Sequence, residues 1–230
     1  MLISVHLPKT AGSSFLRSLE DYFGDSLAKD YADYPINAPP YERNLAALKA
    51  CIDNAQCDFH GIRCIHGHFL PLKYLLLSTT RKTRFVTWIR DPVDRLISHF
   101  YFWQQYYDHD HAKPLRRKVI EEHWSLERFC LGPELRNFYF QYLWGFPLEC
   151  FDFIGITENY EADMAYFSSS VLGTTLNIYY ENIGSTSKKL DISIDREFRL
   201  EIEAHHAIDV QLYKRALELS NKRRNGITAE

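Results

Sequence analysis

The stretch Leu2-Ile-Ser-Val-His-Leu-Pro-Lys-Thr-Ala-Gly-Ser-Ser-Phe15 sets the fold of this chain. Leu2 to Leu7 is a short apolar, β-branched run that stops at Pro8, and it reads as a buried strand. Ser13 or Ser14 can cap a helix that runs to Phe23. Phe15, Leu16, Leu19 and Phe23 fall on one face of that helix. Between the two lies Lys9-Thr-Ala-Gly-Ser-Ser14, with one ammonium, three hydroxyls, a flexible glycine and the N–H groups of a helix start. A phosphate or sulfate suits such a place, because those N–H groups point at the anion and the helix dipole favours it. An ordinary strand–turn–helix junction with a capping serine is the plainer alternative.

Working outward, Asp30 to Tyr41 carries three prolines and reads as a loop. Glu42 to Ala55 places Leu45, Leu48 and Ile52 at helical spacing. Phe59 to His66 predicts a strand, and Pro71 to Leu77 a short helix. Arg84-Phe-Val-Thr-Trp-Ile-Arg90 is the clearest strand. Asp91 is a good cap and Pro92 fits a first turn, so a helix follows to about Tyr107. Residues 108–146 read as helical and aromatic, broken at Lys113-Pro114 and Gly132-Pro133. Phe151 to Thr157 predicts a strand, Asn159 to Val171 a helix and Thr174 to Tyr180 a further strand. Helices over Asp195–His206 and Ala207–Asn221 close the chain. Strands alternating with helices predict an α/β fold, with a central, mainly parallel sheet flanked by helices. Ligands of such sheets bind outside the carboxyl ends of the strands. Two candidate sites lie there, Pro8 to Ser14 and Arg90 to Ser98.

The bulk properties set limits. The 230 residues suit one domain over 1–221, with 222–230 expected to fray. A net charge of −3 argues against a general nucleic-acid binder. With 46% hydrophobic and 25% charged residues, the composition is that of a soluble globular chain. Fifteen Tyr and fifteen Phe imply a large core and leave room for a stacking surface. The N-terminus lacks a basic n-region, and no apolar run is long enough to span a bilayer. A cytoplasmic location without a membrane partner is therefore expected. The five cysteines, at 51, 57, 64, 130 and 150, form no CxxC pair and read as free thiols. One bridge, such as Cys51 to Cys57, stays open.

The loop is not a Walker A sequence, since Gly-x4-Gly-Lys-[Ser/Thr] is absent and Lys9 precedes the glycine. His6-Leu-Pro-Lys-Thr-Ala-Gly-Ser-Ser-Phe15 instead resembles the 5′-phosphosulfate loop of sulfotransferases that use 3′-phosphoadenosine 5′-phosphosulfate (PAPS). The likeness is strongest to the branch holding the heparan and uronyl 2-O-sulfotransferases and their bacterial relatives. Arg90-Asp-Pro-Val-Asp-Arg-Leu-Ile-Ser98 is similar to the family's second motif, and Ile65-His-Gly-His-Phe69 to a third. The resemblance implies a P-loop-like three-layer domain. It gives Lys9 the leaving phosphate oxygen, and Thr10, Ala11 and Gly12 the supply of backbone donors. Ser13 and Ser14 would bind phosphate oxygens, and Arg90 with Ser98 the 3′-phosphate, for which an Arg fork is suited. His68 would be the general base and His66 would orient it or the acceptor. Asn182, Ser185 and Lys188 would come from a loop over PAPS. Arg95 and Glu158 would be structural. The implied reaction moves a sulfuryl group to a hydroxyl, on a saccharide, leaves adenosine 3′,5′-bisphosphate, and requires no metal.

Other readings compete. Arg90 and Arg95 can simply pair with Asp91 and Asp94. Cys64, His66 and His68, with His60 nearby, can form a metal site. His66 and His68 can also be structural. The same phosphate loop serves a nucleotide-dependent kinase or a non-catalytic PAPS or bisphosphate sensor. The aromatic stretch from Tyr101 to Trp144 suits a sugar-stacking surface, a core or an oligomer interface. His109, His111, His123, His205 and His206 show no ligand spacing and read as surface residues.

Overall fold

A computed structural model describes residues 1–33, 35–181 and 194–226. Among the described residues five strands form one all-parallel sheet: β1 (Leu2–Val5), β2 (Leu27–Asp30), β3 (Cys64–Gly67), β4 (Arg84–Ile89) and β5 (Phe153–Ile156). Their order across the sheet is β2-β3-β1-β4-β5, with β1 at the centre. Ser4 lies beside His66 on one side and Val86 on the other. A parallel sheet is covered on both faces, so its strands are apolar throughout. All four residues of β1 are accordingly buried.

Alternation along the strands divides the core in two. Leu2, Cys64, Val86, Trp88 and Phe153 pack under α1 (Gly12–Phe23) and α7 (Tyr160–Tyr166), which continues as a π-helical turn to Leu172. Ile3, Val5, Ile65, Phe85 and Ile89 face the larger layer. That layer includes α3 (Pro92–Gln105), α4 (Pro114–Glu121), α5 (Leu126–Leu131), α6 (Phe138–Tyr142), α8 (Arg196–His205) and α9 (Ala207–Arg224). The result is the three-layer, P-loop-like α/β arrangement expected from the sequence.

Several local expectations need correction. The strand β2 was not foreseen, and its half-exposed Leu-Ala-Lys-Asp carries no alternation to betray it. The third strand begins at Cys64 and not at Phe59. Thr174 to Tyr180 forms no strand. In α2 (Pro40–Gln56) the helix is present, but Leu45, Leu48 and Ile52 face solvent while Arg43, Ala47 and Cys51 are buried. No serine caps α1: Gly12 opens it behind Ala11, without a side-chain cap. Asp91 does cap α3, accepting from the N–H groups of Val93 and Asp94 at 3.0 Å each. All five cysteines are free, Cys57 and Cys150 exposed and the other three buried. Among the described residues no helix is long and apolar enough to cross a membrane.

The last helix runs to Arg224, past Asn221 where it was expected to end. Its end is anchored by charge. The fully buried Asp163 accepts from Arg223 at 2.8 Å, from Arg224 at 2.9 Å and from the N–H of Ile156 at 2.7 Å. A buried carboxylate is tolerable only with such partners. Asp163→Ala removes the carboxylate shared by Arg223 and Arg224 and leaves an N–H of β5 without its acceptor. It is expected to cost about 3–5 kcal/mol of stability, measured by urea unfolding with the slope unchanged.

Candidate active site

Because all strands are parallel, the loops leaving β1, β3, β4 and β5 emerge on one edge. They surround a cavity of about 860 Å³. Lys9, Ala11, Gly12, Ser13, Ser14, His68, Arg90 and Ser98, all singled out from sequence, line it.

The loop after β1 is strained. Lys9 and Ala11 both hold left-handed backbone, at φ 69° and 66°, a conformation costly for residues with a Cβ and concentrated at functional sites. Thr10 faces inward, fully buried, and donates to the Leu7 carbonyl at 2.7 Å, so its hydroxyl shapes the loop and does not line the cavity. Gly12 is required by contact: a Cβ there would lie 1.7 Å from Nε2 of His6. Ser14 is buried, and its Oγ accepts from the N–H of Glu181 at 2.9 Å, while Ser13 is exposed. The first N–H groups of α1 have no acceptor within their own helix.

Lys9 places its ammonium 3.8 Å from the centroid of the Phe102 ring. Burial, and then the charge of Arg90, lower its pKa to about 8. Among the described residues neither Lys9 nor Arg90 has an ion-pair partner within 4 Å. The pairing of Arg90 with Asp91 or Asp94 is thus set aside. Arg199 of α8 takes both acids instead, each at 2.9 Å. Glu158 accepts from the N–H of Asp91 at 2.9 Å. Arg90 itself is fixed through its backbone: the Tyr139 hydroxyl donates to its carbonyl at 2.6 Å and accepts from its N–H at 3.2 Å. Arg95 is fully buried, 4.0 Å from the Phe138 ring, and does not line the cavity.

His68 follows β3. Its Nδ1 donates to the His6 carbonyl at 2.6 Å, which leaves the Nε2 lone pair free to accept a proton. The His6 ring lies against it, with centroids 4.2 Å apart, and the Tyr31 ring meets it nearly perpendicular at 4.9 Å. Burial lowers the His68 pKa to about 4, against the opposing effect of the His6 carbonyl. His66 lies outside the cavity, buried with Nδ1 2.8 Å from the Ser4 hydroxyl, and burial lowers its pKa to about 3. His6 is lowered too, first by burial and then by His68.

The alternative metal ligands do not converge. Cys64 is buried in the core beneath α1 and His60 is exposed. Among the described residues no group of three His, Cys, Asp or Glu side chains could hold a metal ion. Asn182, Ser185 and Lys188 lie outside the described residues. His206, expected at the surface, is fully buried: Nε2 donates to the Cys130 carbonyl at 2.7 Å and Nδ1 accepts from the N–H of Asn137 at 3.1 Å. His205 is half-buried, whereas His109, His111 and His123 are exposed. The aromatic stretch divides. Phe129, Phe138 and Tyr139 are core, while Phe102, Trp103 and Tyr106 line the cavity. Sequence reasoning missed the lining residues His6, His99 and Arg116. His6 stood within the quoted motif, and Arg116 in the basic run after Lys113.

No protein-family model matches the chain, and no curated protein matches it in sequence. Among solved structures, a sulfotransferase from Alicyclobacillus acidocaldarius is similar at 16% identity over 92% of each chain, with a TM-score of 0.47. The mouse sulfotransferase SULT7A1, complexed with PAP, is similar at 13% identity, covering 76% of this chain and 59% of the mouse one, with a TM-score of 0.37. Both scores fall below 0.5, so the functional reading rests on the residues of the site and not on these likenesses.

The buried imidazoles tie stability to pH. His6, His66 and His68 have folded pKa values below the unfolded value of 6.5. Below pH 6.5 the unfolded chain therefore binds more protons, and stability falls as pH falls toward the folded values. Denaturant unfolding is expected to show this loss below about pH 6.5 and a shallower one in His66→Gln, where an unchanged slope would refute the attribution.

Proposed function

We propose that the chain is a sulfotransferase that moves a sulfuryl group from PAPS to an acceptor hydroxyl, on a saccharide. The observation that carries this reading is the pair of cations Lys9 and Arg90. They share one cavity, lack an acid partner among the described residues, and stand beside a histidine whose Nε2 is free. Holding like charges together without a counter-ion is unfavourable, and a bound polyanion relieves it. A donor with a phosphosulfate at one end and a 3′-phosphate at the other has that charge distribution.

Lys9 and the N–H groups at the start of α1 hold the phosphosulfate, and Arg90 with Ser98 holds the 3′-phosphate. PAPS supplies an activated sulfuryl group, whose bond to the 5′-phosphate oxygen breaks with its electron pair left on that oxygen as the acceptor oxygen bonds to sulfur. His68 takes the acceptor's proton on Nε2 as that bond forms. Lys9 neutralises the charge that grows on the leaving oxygen. A neutral His68 is ready to do this at pH 7, since its pKa lies near 4. The aromatic side chains of Phe102, Trp103 and Tyr106 suit stacking against a sugar ring.

Transfer of radiolabel from PAPS to a panel of glycans and small alcohols tests the reading. Lys9→Ala is expected to abolish transfer. His68→Ala is expected to remove turnover while bisphosphate affinity stays within about twofold. Arg90→Ala loses charge-assisted bonds of about 1.5–3 kcal/mol, which is roughly 10- to 150-fold in Kd for the bisphosphate. Tight bisphosphate binding with no transfer to any acceptor would indicate a sensor, and magnesium-dependent hydrolysis of ATP would indicate a kinase.

A further inference from the structure

His99 has no part in the reading above, yet it lines the same cavity while only 4% exposed. One turn earlier on α3, Nη1 of the buried Arg95 lies 3.4 Å from Nδ1 of His99. A guanidinium has donors only and keeps its protons in proteins. Nδ1 must therefore be the acceptor, and the single ring proton of a neutral His99 sits on Nε2. Protonation of Nδ1 would set a second cation against Arg95. Burial opposes it first, and the charges of Arg95, Lys9, His68 and Arg116 oppose it further. The ring is also held in orientation. Trp103 meets it edge-on at 4.4 Å, and Phe129 and Phe138 meet it at 5.9 and 6.0 Å. Arg95 takes the buried edge of the imidazole, so the Nε2 edge is the one that can reach the cavity.

The cavity thus carries two neutral imidazoles of opposite tautomer. His68 gives its Nδ1–H to a carbonyl and presents a lone pair. His99 gives its Nδ1 lone pair to a guanidinium and presents an N–H. We propose that His99 is a further catalytic residue, its Nε2–H donating a hydrogen bond to a non-bridging oxygen of the sulfuryl group in transit. This rests on the sulfotransferase reading. A fixed neutral donor suits that position because it stabilises negative charge without reorganising and without adding to the cations that already line the cavity.

Nitrogen-15 NMR of the full chain with labelled histidine reads the tautomer directly. The expected spectrum at neutral pH shows His99 protonated on Nε2 alone. That Nε2–H signal is expected to shift when PAPS is added and to shift less with adenosine 3′,5′-bisphosphate, which has no sulfuryl group. His99→Leu is expected to lower kcat about 100-fold with unchanged bisphosphate affinity. His99→Gln, which keeps an N–H donor, should recover most of the loss. A ring protonated on Nδ1, or equal shifts with both nucleotides, overturns the proposal even if His99→Leu fails to fold. Undiminished transfer in His99→Leu overturns this proposal alone, whereas no transfer from PAPS by the unaltered protein removes the donor reading and this proposal with it.

Discussion

Two cations at the carboxyl ends of adjacent strands, Lys9 after β1 and Arg90 after β4, have no ion-pair partner within 4 Å among the described residues. Much of the surrounding structure serves that arrangement. Asp91 and Asp94 are occupied by Arg199, which reaches across from α8. Glu158 is turned to the backbone at Asp91. The ammonium of Lys9 rests on an aromatic face, which accepts a cation without cancelling its charge. Left-handed backbone at two residues with a Cβ adds to the cost. A chain selected for stability alone would have placed an acid between the two cations, so the arrangement trades stability for a site that an anion completes.

The histidines follow a related logic. Burial pushes His6, His66, His68 and His99 toward the neutral form, and nearby charges push His6, His66 and His99 the same way. A cavity that already holds fixed cations thereby gains imidazoles that accept or donate without adding charge. Their hydrogen-bond partners fix which nitrogen does which: a carbonyl for His68 and a guanidinium for His99.

Local chemistry made part of this legible in the sequence. Strand β1, its anion loop and helix α1 could be read because an apolar run, a proline and a glycine-serine turn follow one another within fifteen residues. The β4–α3 unit could be read because Asp91-Pro92 marks a helix start. Elements whose placement depends on distant contacts were opaque. Strand β2 has no pattern of its own and exists because β3 offers it an edge. Thr174 to Tyr180 has strand-like residues, yet Ile178 and Tyr180 are exposed and the segment joins no sheet. The three lines of support for Arg90, from Tyr139, from Arg199 and from Glu158, come from residues 49 to 109 positions away in sequence, so no window of sequence could display them. Periodicity found α2 but could not say which stripe turns inward.

The central place of β1 bears on how the site is assembled. Its neighbours enter the sheet only when Cys64 and Arg84 arrive, and Ser14 meets its partner only at Glu181. Pairings between such distant segments are slow to form, because loops must close before contacts reward them. The anion loop therefore emerges before the neighbours that hold its strained backbone, and Lys9 and Arg90 are brought together only when β1 and β4 pair. Polyphosphate or sulfate in the refolding medium would act on that last stage, screening the charges as they converge, so such anions can serve as folding aids as well as ligands.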